Sequence, residues 1–160
     1  MRILYIVNHL DPGGIASYLL TLASGMKKRG HEVLVASSAG QWLPRLEEAQ
    51  IPFLSIPIRT KSILSPGIGR SYLKCAKAVG KSAIQVIHSH SRTTQVLGCL
   101  LARKTGAAHV FTCHGFFRPS LARKIFPCLP QAFIAVSEPV KDHLVGDLGA
   151  QERKVFVVHN

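Results

Sequence analysis

The chain has 160 residues, 47% of them hydrophobic, and a mean hydropathy of +0.20, enough apolar material for one buried core and too much for a disordered segment. No uncharged apolar run approaches the ~18 residues a membrane-crossing helix needs. The net charge of +12 is uneven: from Ala49 to Ser137 there are 12 Lys and Arg and no Asp or Glu, a one-signed block that implies an anionic partner.

In chain order, Ile3–Val7 opens as a short apolar strand. Asn8, His9 and Asp11 interrupt it too early for a signal peptide. Residues 14–29 place Tyr18, Leu19, Leu22, Ala23 and Met26 at helical spacing, and Gly30 stops that helix after Lys27, Lys28 and Arg29. Strands are predicted at Glu32–Ala36, Pro52–Ile56, Ala83–His88, His109–Cys113, Ala132–Val136 and Val155–Val158. Helices are predicted over 41–49, 66–80, 91–104, 119–126 and 138–148. Short apolar strands alternating with amphipathic helices predict an α/β, doubly wound, mainly parallel sheet with helices on both faces, folded as one domain. The cysteines Cys75, Cys99, Cys113 and Cys128 form no C-x-x-C pair. Reduced thiols and a cytoplasmic setting are therefore expected, rather than a disulfide scaffold or zinc knuckle.

In such sheets ligands sit beyond the carboxyl ends of the strands. The first of these loops, Asn8–Gly14, ends in Gly13 and Gly14, leaving bare backbone amides at a helix N-terminus, a place that favours anions. The pattern lacks the third glycine and the acidic residue of a dinucleotide fingerprint, which disfavours a nicotinamide enzyme. His88 and His90 share a face of the fourth strand, and His114 ends the neighbouring fifth. The three converge on one rim, where substrate hydrogen bonding, a metal site or structural histidines are all open readings. Hydrogen bonding is preferred, because no carboxylate lies nearby to complete or orient a metal site. His31, His109 and His143 are expected to be structural.

The ordered set Met1-Arg2-Ile3-Leu4-Tyr5-Ile6, Pro12-Gly13-Gly14, Arg29-Gly30-His31-Glu32-Val33, Val86-Ile87-His88-Ser89-His90, Phe111-Thr112-Cys113-His114-Gly115, Ile134-Ala135-Val136-Ser137-Glu138 and Val155–Asn160 resembles retaining GT-B glycosyltransferases of the group 1 type. The resemblance runs the whole chain in order. It implies that residues 1–160 form the N-terminal, acceptor-side Rossmann-like half of a two-domain enzyme. The half that binds the nucleotide sugar is then expected beyond Asn160, together with the basic pair at the diphosphate and an E-x7-E segment. The chain alone is accordingly expected to be inactive. The full enzyme would be a hexosyltransferase acting on a glycan, lipid-linked or lipopolysaccharide-type acceptor in cell-envelope polysaccharide biosynthesis. No bound cofactor or metal is implied, the nucleotide sugar being a substrate. On this resemblance Gly13 and Gly14 approach the donor, His114 is the catalytic residue at the transferred sugar, and His88, His90, Arg92, Ser137 and Glu138 line the acceptor side. The family often carries an acidic residue soon after its glycines, whereas Ile15-Ala16-Ser17 follow here.

The basic block mixes cations with apolar residues in two places, around the helix at 66–80 and over Phe116–Phe126. The second offers Phe117, Arg118, Arg123 and Lys124 to an anionic membrane surface, at the inner face of the cell membrane. No nucleic-acid motif is present, and nucleic acid is not expected as a partner. The alternatives are a non-catalytic Rossmann-like binding subunit and, ranked below it, a basic nucleic-acid-binding domain.

Overall fold

The computed structural model describes residues 1–117 and 128–160. Among them seven strands form one parallel sheet: β1 (Arg2–His9), β2 (Glu32–Ser38), β3 (Phe53–Ser55), β4 (Val86–Ser89), β5 (Ala108–Cys113), β6 (Ala132–Ala135) and β7 (Val155–Val157). They lie in the order β3-β2-β1-β4-β5-β6-β7, so the chain winds outward from β1, returns to β4 and winds the other way. The intervening helices are α1 (Gly14–Lys28), α2 (Leu43–Glu48), α3 (Pro66–Ser82), α4 (Arg92–Thr105) and α5 (Glu138–Gly146). The helix expected over 119–126, with Arg118, Arg123 and Lys124, lies outside the described residues.

Strand alternation decides which helix covers which face. Ile3, Tyr5 and Val7 point to one side and pack with Leu19 and Ala23 of α1 and Leu46 of α2. Leu4, Ile6 and Ile87 point to the other side, against Cys75 and Val79 of α3 and Leu97 and Leu101 of α4. On that same side Phe111, Phe133 and Ala135 meet Val140 and Leu144 of α5. Both faces of the central strands are buried, which is why β1 reads as an uninterrupted apolar run rather than an alternating one. A fully buried aliphatic side chain such as Leu97 contributes about 1.5–3 kcal/mol.

Two of the boundaries that differ from the expectation have a plain physical cause. The fourth strand begins at Val86 rather than Ala83, because α3 runs on to Ser82 and Ala83 caps it in the left-handed conformation (φ 42°). The second helix starts at Leu43 rather than 41. Gly40 is packed against the β1–α1 loop, where an added Cβ would lie 2.4 Å from the Leu10 carbonyl carbon, and Trp42 N–H donates to Leu10 O at 2.9 Å. All four cysteines are free thiols and buried. Among the described residues no helix is long and apolar enough to cross a membrane.

Candidate functional site

The reversal of winding opens a crevice between the carboxyl ends of β1 and β4, the place where open α/β sheets bind ligands. A cavity of about 730 Å³ occupies it, lined from β1 and its loop (Val7–His9, Asp11), the start of α1 (Gly13–Ala16), the loop after β3 (Arg59–Lys61), the turn into α4 (His90–Thr93) and Phe117.

The glycines come first. Gly13 is the N-cap of α1 in an ordinary extended conformation, with no side-chain cap bond, and the first turn of the helix carries no acidic residue. A Cβ at Gly14 would meet nothing within 4 Å, and one at Gly13 would only touch Asp11 O at 4.0 Å. Packing therefore does not demand glycine at either position, in contrast to Gly40. What their bareness leaves open is the cavity, onto which a helix N-terminus opens.

The imidazoles form a connected set. His88 on β4 is buried, bonds Thr112 Oγ1 through Nε2 at 2.7 Å, and stacks on His90 with ring centroids 4.4 Å apart. His90 is 1% exposed, and its Nδ1 lies 3.2 Å from His114 Nε2. His90 Nε2 has no hydrogen-bond partner among the described residues. His114 packs edge-on against Tyr18 at 5.0 Å. Burial pushes His88 down to about 3, with the nearby His109 and His114 adding to the effect, and holds His114 at about 4. His90 is driven well below the usual range by burial and then by His88 and His114. All three are neutral at pH 7, so across the His90–His114 bond one ring donates and the other accepts.

The turn into α4 is held by a capping box: Thr94 N–H donates to Ser91 Oγ at 3.3 Å, and Ser91 N–H to Thr94 Oγ1 at 2.9 Å. Asn8 then stitches the rim together. Its Nδ2 donates to Ile58 O at 2.9 Å and Thr93 Oγ1 at 2.8 Å, with Thr60 O at 3.2 Å, and its Oδ1 accepts from Ser91 Oγ. Asp11 forms an ion pair with Arg59 and takes Gln41 N–H at 3.3 Å.

The structure thus brings Gly13, Gly14, His90 and Arg92 into one cavity wall, with His114 joined to it through His90. His88, expected on the acceptor side, lies on the same face one step further from the strand's end: it sits beneath His90, bonded to Thr112, and is not among the residues that line the cavity. Ser137 and Glu138, at the carboxyl end of β6, share the sheet edge but stand outside the lining. Phe117, expected at a membrane surface, turns inward instead. Its ring packs beside Phe111 at 6.4 Å, and its N–H donates to His143 Nε2 at 2.9 Å; the exposed member of the pair is Phe116, at 69%. His143 and His109 are structural: His143 bonds Asp147 Oδ2 at 2.6 Å, and His109 bonds Ser89 Oγ at 2.8 Å. Asn8, Asp11, Thr60 and Thr93 carry no sequence signal as site residues, although each lies in a loop at a strand's carboxyl end, and Lys61 is legible only as part of the basic block. Among the described residues no group of three or more His, Cys, Asp or Glu is placed to hold a metal ion.

The comparisons with known proteins agree on this architecture. The family model described as Glycosyltransferase Family 4 matches residues 12–160. No curated protein matches the chain in sequence. Among solved structures, a glycosyltransferase from Rickettsia africae superposes with a TM-score of 0.82 at 22% identity, over 99% of this chain and 42% of that one. HepE (Alr3699) from Anabaena, solved in complex with UDP and glucose, gives 0.78 at 20% identity, over 100% of this chain and 44% of that one. The lipopolysaccharide outer core galactosyltransferase WaaB gives 0.73 at 12% identity, over 100% of this chain and 46% of that one. The fold is therefore the Rossmann-like half of a GT-B glycosyltransferase, and the chain spans less than half the length of these relatives.

Proposed function

This chain belongs to Glycosyltransferase Family 4, and on that ground we propose that it is the N-terminal, acceptor-side half of a two-domain retaining glycosyltransferase. The observation that carries this reading is the cavity at the switch point, where the uncapped α1 N-terminus at Gly13–Gly14 shares a wall with His90, a neutral imidazole bonded in turn to the neutral His114. A second Rossmann-like half supplies most of the nucleotide-sugar site. The complexes of the Anabaena protein with UDP and with UDP-glucose support a nucleotide-sugar donor.

In the transfer, the bond from the anomeric carbon to the leaving diphosphate breaks, its electron pair going to the nucleotide. The bond from that carbon to an acceptor oxygen forms as the acceptor hydroxyl gives up its proton. Gly13 and Gly14 offer backbone amides to the donor's phosphate or sugar. His114 bonds a hydroxyl of the transferred sugar. Its neutrality matters, because an imidazolium beside a developing oxocarbenium would repel it, whereas a neutral ring stabilises by hydrogen bonding without that cost. Arg92 and His90 face the acceptor, and His88 fixes His90 from beneath.

The acceptor is a glycan or lipid-linked saccharide of the cell envelope, and the protein works against an anionic membrane surface. Supporting this, α3 turns Arg70, Leu73, Lys74 and Lys77 outward, Leu73 being 68% exposed.

The test is His114→Ala in a protein carrying both halves. Turnover should fall by about 10²–10³, with donor affinity far less affected and the melting temperature nearly unchanged. A destabilised but fully active variant would remove His114 from the chemistry.

A further inference from the structure

The first helix meets the rim at two points one turn apart. Gly14 opens α1 onto the cavity, and Tyr18 follows four residues later on the same face. Its neighbours Leu19 and Ala23 go into the core against β1, but Tyr18 stays half-buried and meets imidazoles instead. Its ring stands nearly perpendicular to that of His114, at 81° with centroids 5.0 Å apart, and at 64° to that of His90, 5.7 Å away. His90 in turn lies on His88 and puts its Nδ1 3.2 Å from His114 Nε2. His114 is therefore held from two sides, by a hydrogen bond to His90 just past β4 and by a ring contact from α1. The Tyr18 hydroxyl bonds none of the described residues, so the ring alone makes the contact. A hydrogen bond fixes one atom of an imidazole and leaves the plane free to swing, because the outer torsion of a histidine is soft. A second ring packed edge-to-face removes that freedom.

We propose that Tyr18 is a positioning residue for His114: it fixes the plane of the imidazole and ties it, through one turn of α1, to the amides of Gly13 and Gly14. This rests on the roles given above to His114 and the glycines. Tyr18 is not among the residues that line the cavity, so it acts through His114 rather than on a substrate. A helical turn is a stiff spacer of about 5.4 Å. The group that meets the donor's phosphate and the group that meets its sugar are thus set relative to one another before the donor arrives, and such prior placement is a large part of what a site contributes to a reaction. The same ring covers His114 from water, in keeping with the burial that holds its imidazole at about 4.

The experiment follows the His114 ring by NMR in the 160-residue chain and in its Tyr18→Phe, Tyr18→Leu and Tyr18→Ser variants. In the unaltered chain the ring should stay neutral from about pH 7.5 to 5, and its Hε1 should show a nuclear Overhauser contact to Hε1 of His90. Tyr18→Phe keeps the ring and should keep both signatures. Tyr18→Leu fills similar space without a flat edge, so a folded protein remains to be measured even where Tyr18→Ser does not fold. The His90 contact should be lost in Tyr18→Leu and in Tyr18→Ser, and in the latter His114 should also titrate with a midpoint above about 5, once water reaches it. A folded Tyr18→Leu that retains the His90 contact would overturn the proposal, as would a folded Tyr18→Ser whose His114 is still neutral at about pH 5. Tyr18 would then be ordinary packing, which costs stability when removed but leaves the imidazole where it was. None of these spectra depends on sugar transfer. The role of His114 at the transferred sugar stands or falls separately, on the turnover of His114→Ala.

Discussion

The imidazoles at the rim stay neutral because they are buried, and this has a consequence for stability that can be measured. In the unfolded chain a histidine titrates near ~6.5. In the folded chain burial holds His88 at about 3 and His109 and His114 at about 4. The folded values are depressed, so between these limits the unfolded state binds more protons and stability rises with pH. The contribution is complete above about pH 6.5 and is lost as pH falls towards 4, with a slope of at most about 1.4 kcal/mol per pH unit for each histidine. The urea midpoint should be level from about pH 8 to 7 and decline steadily below about 6.5. A flat profile down to about pH 4.5, above the range where ordinary carboxylates protonate, would contradict the burial of these rings. At this scale the sequence was half legible. The period of two along β4 put His88 and His90 on one face, and the parallel neighbour brought His114 to them. The same period could not tell which of the pair borders the cavity, since that depends on how far each stands from the strand's end. Asn8 was harder still: its four partners lie 50, 52, 83 and 85 residues away, and no local pattern encodes them.

Among the elements, two glycines in loops at the carboxyl ends of β1 and β2 separate fold from function. Gly40 sits where an added Cβ would come within 2.4 Å of the Leu10 carbonyl carbon and 2.6 Å of Asp11 N, both backbone atoms that cannot step aside. Gly40→Ala should therefore cost about 1–3 kcal/mol, the range for overpacking. It should also disturb the loop that carries Asp11. Gly14 has open space around it, so Gly14→Ala should change stability by no more than about 0.5 kcal/mol while placing a methyl group at the cavity wall. Chemical denaturation of the two variants checks this, and equal losses would remove the distinction. The alternation of strands and helices was readable because each strand is a short apolar run bounded by turn residues. The boundaries were less readable where tertiary packing chose them. Ala83 looked like the first residue of a strand, yet it closes α3 in a conformation that usually favours glycine. The short third strand, Phe53–Ser55, lies at the edge of the sheet between Pro52 and Pro57, which limit its ladder at both ends.

Taken as a whole molecule, the sheet places its ligand-binding edge on one side and its basic block around it, from the loop after β3 through α3 to the turn into α4. On the acceptor-half reading proposed above, this chain is expected to hold one substrate and only touch the other. The α1 N-terminus can contribute about 1–2 kcal/mol to binding a phosphate, far from the ~8 kcal/mol of a micromolar site. The most direct measurement of this division is calorimetric titration of the 160-residue chain with UDP-, GDP- and ADP-sugars. Saturable binding should be absent below about millimolar concentration for every one of them. A micromolar isotherm with any of these donors would mean that this half carries the donor site itself, and the assignment of acceptor and donor halves would have to be reversed.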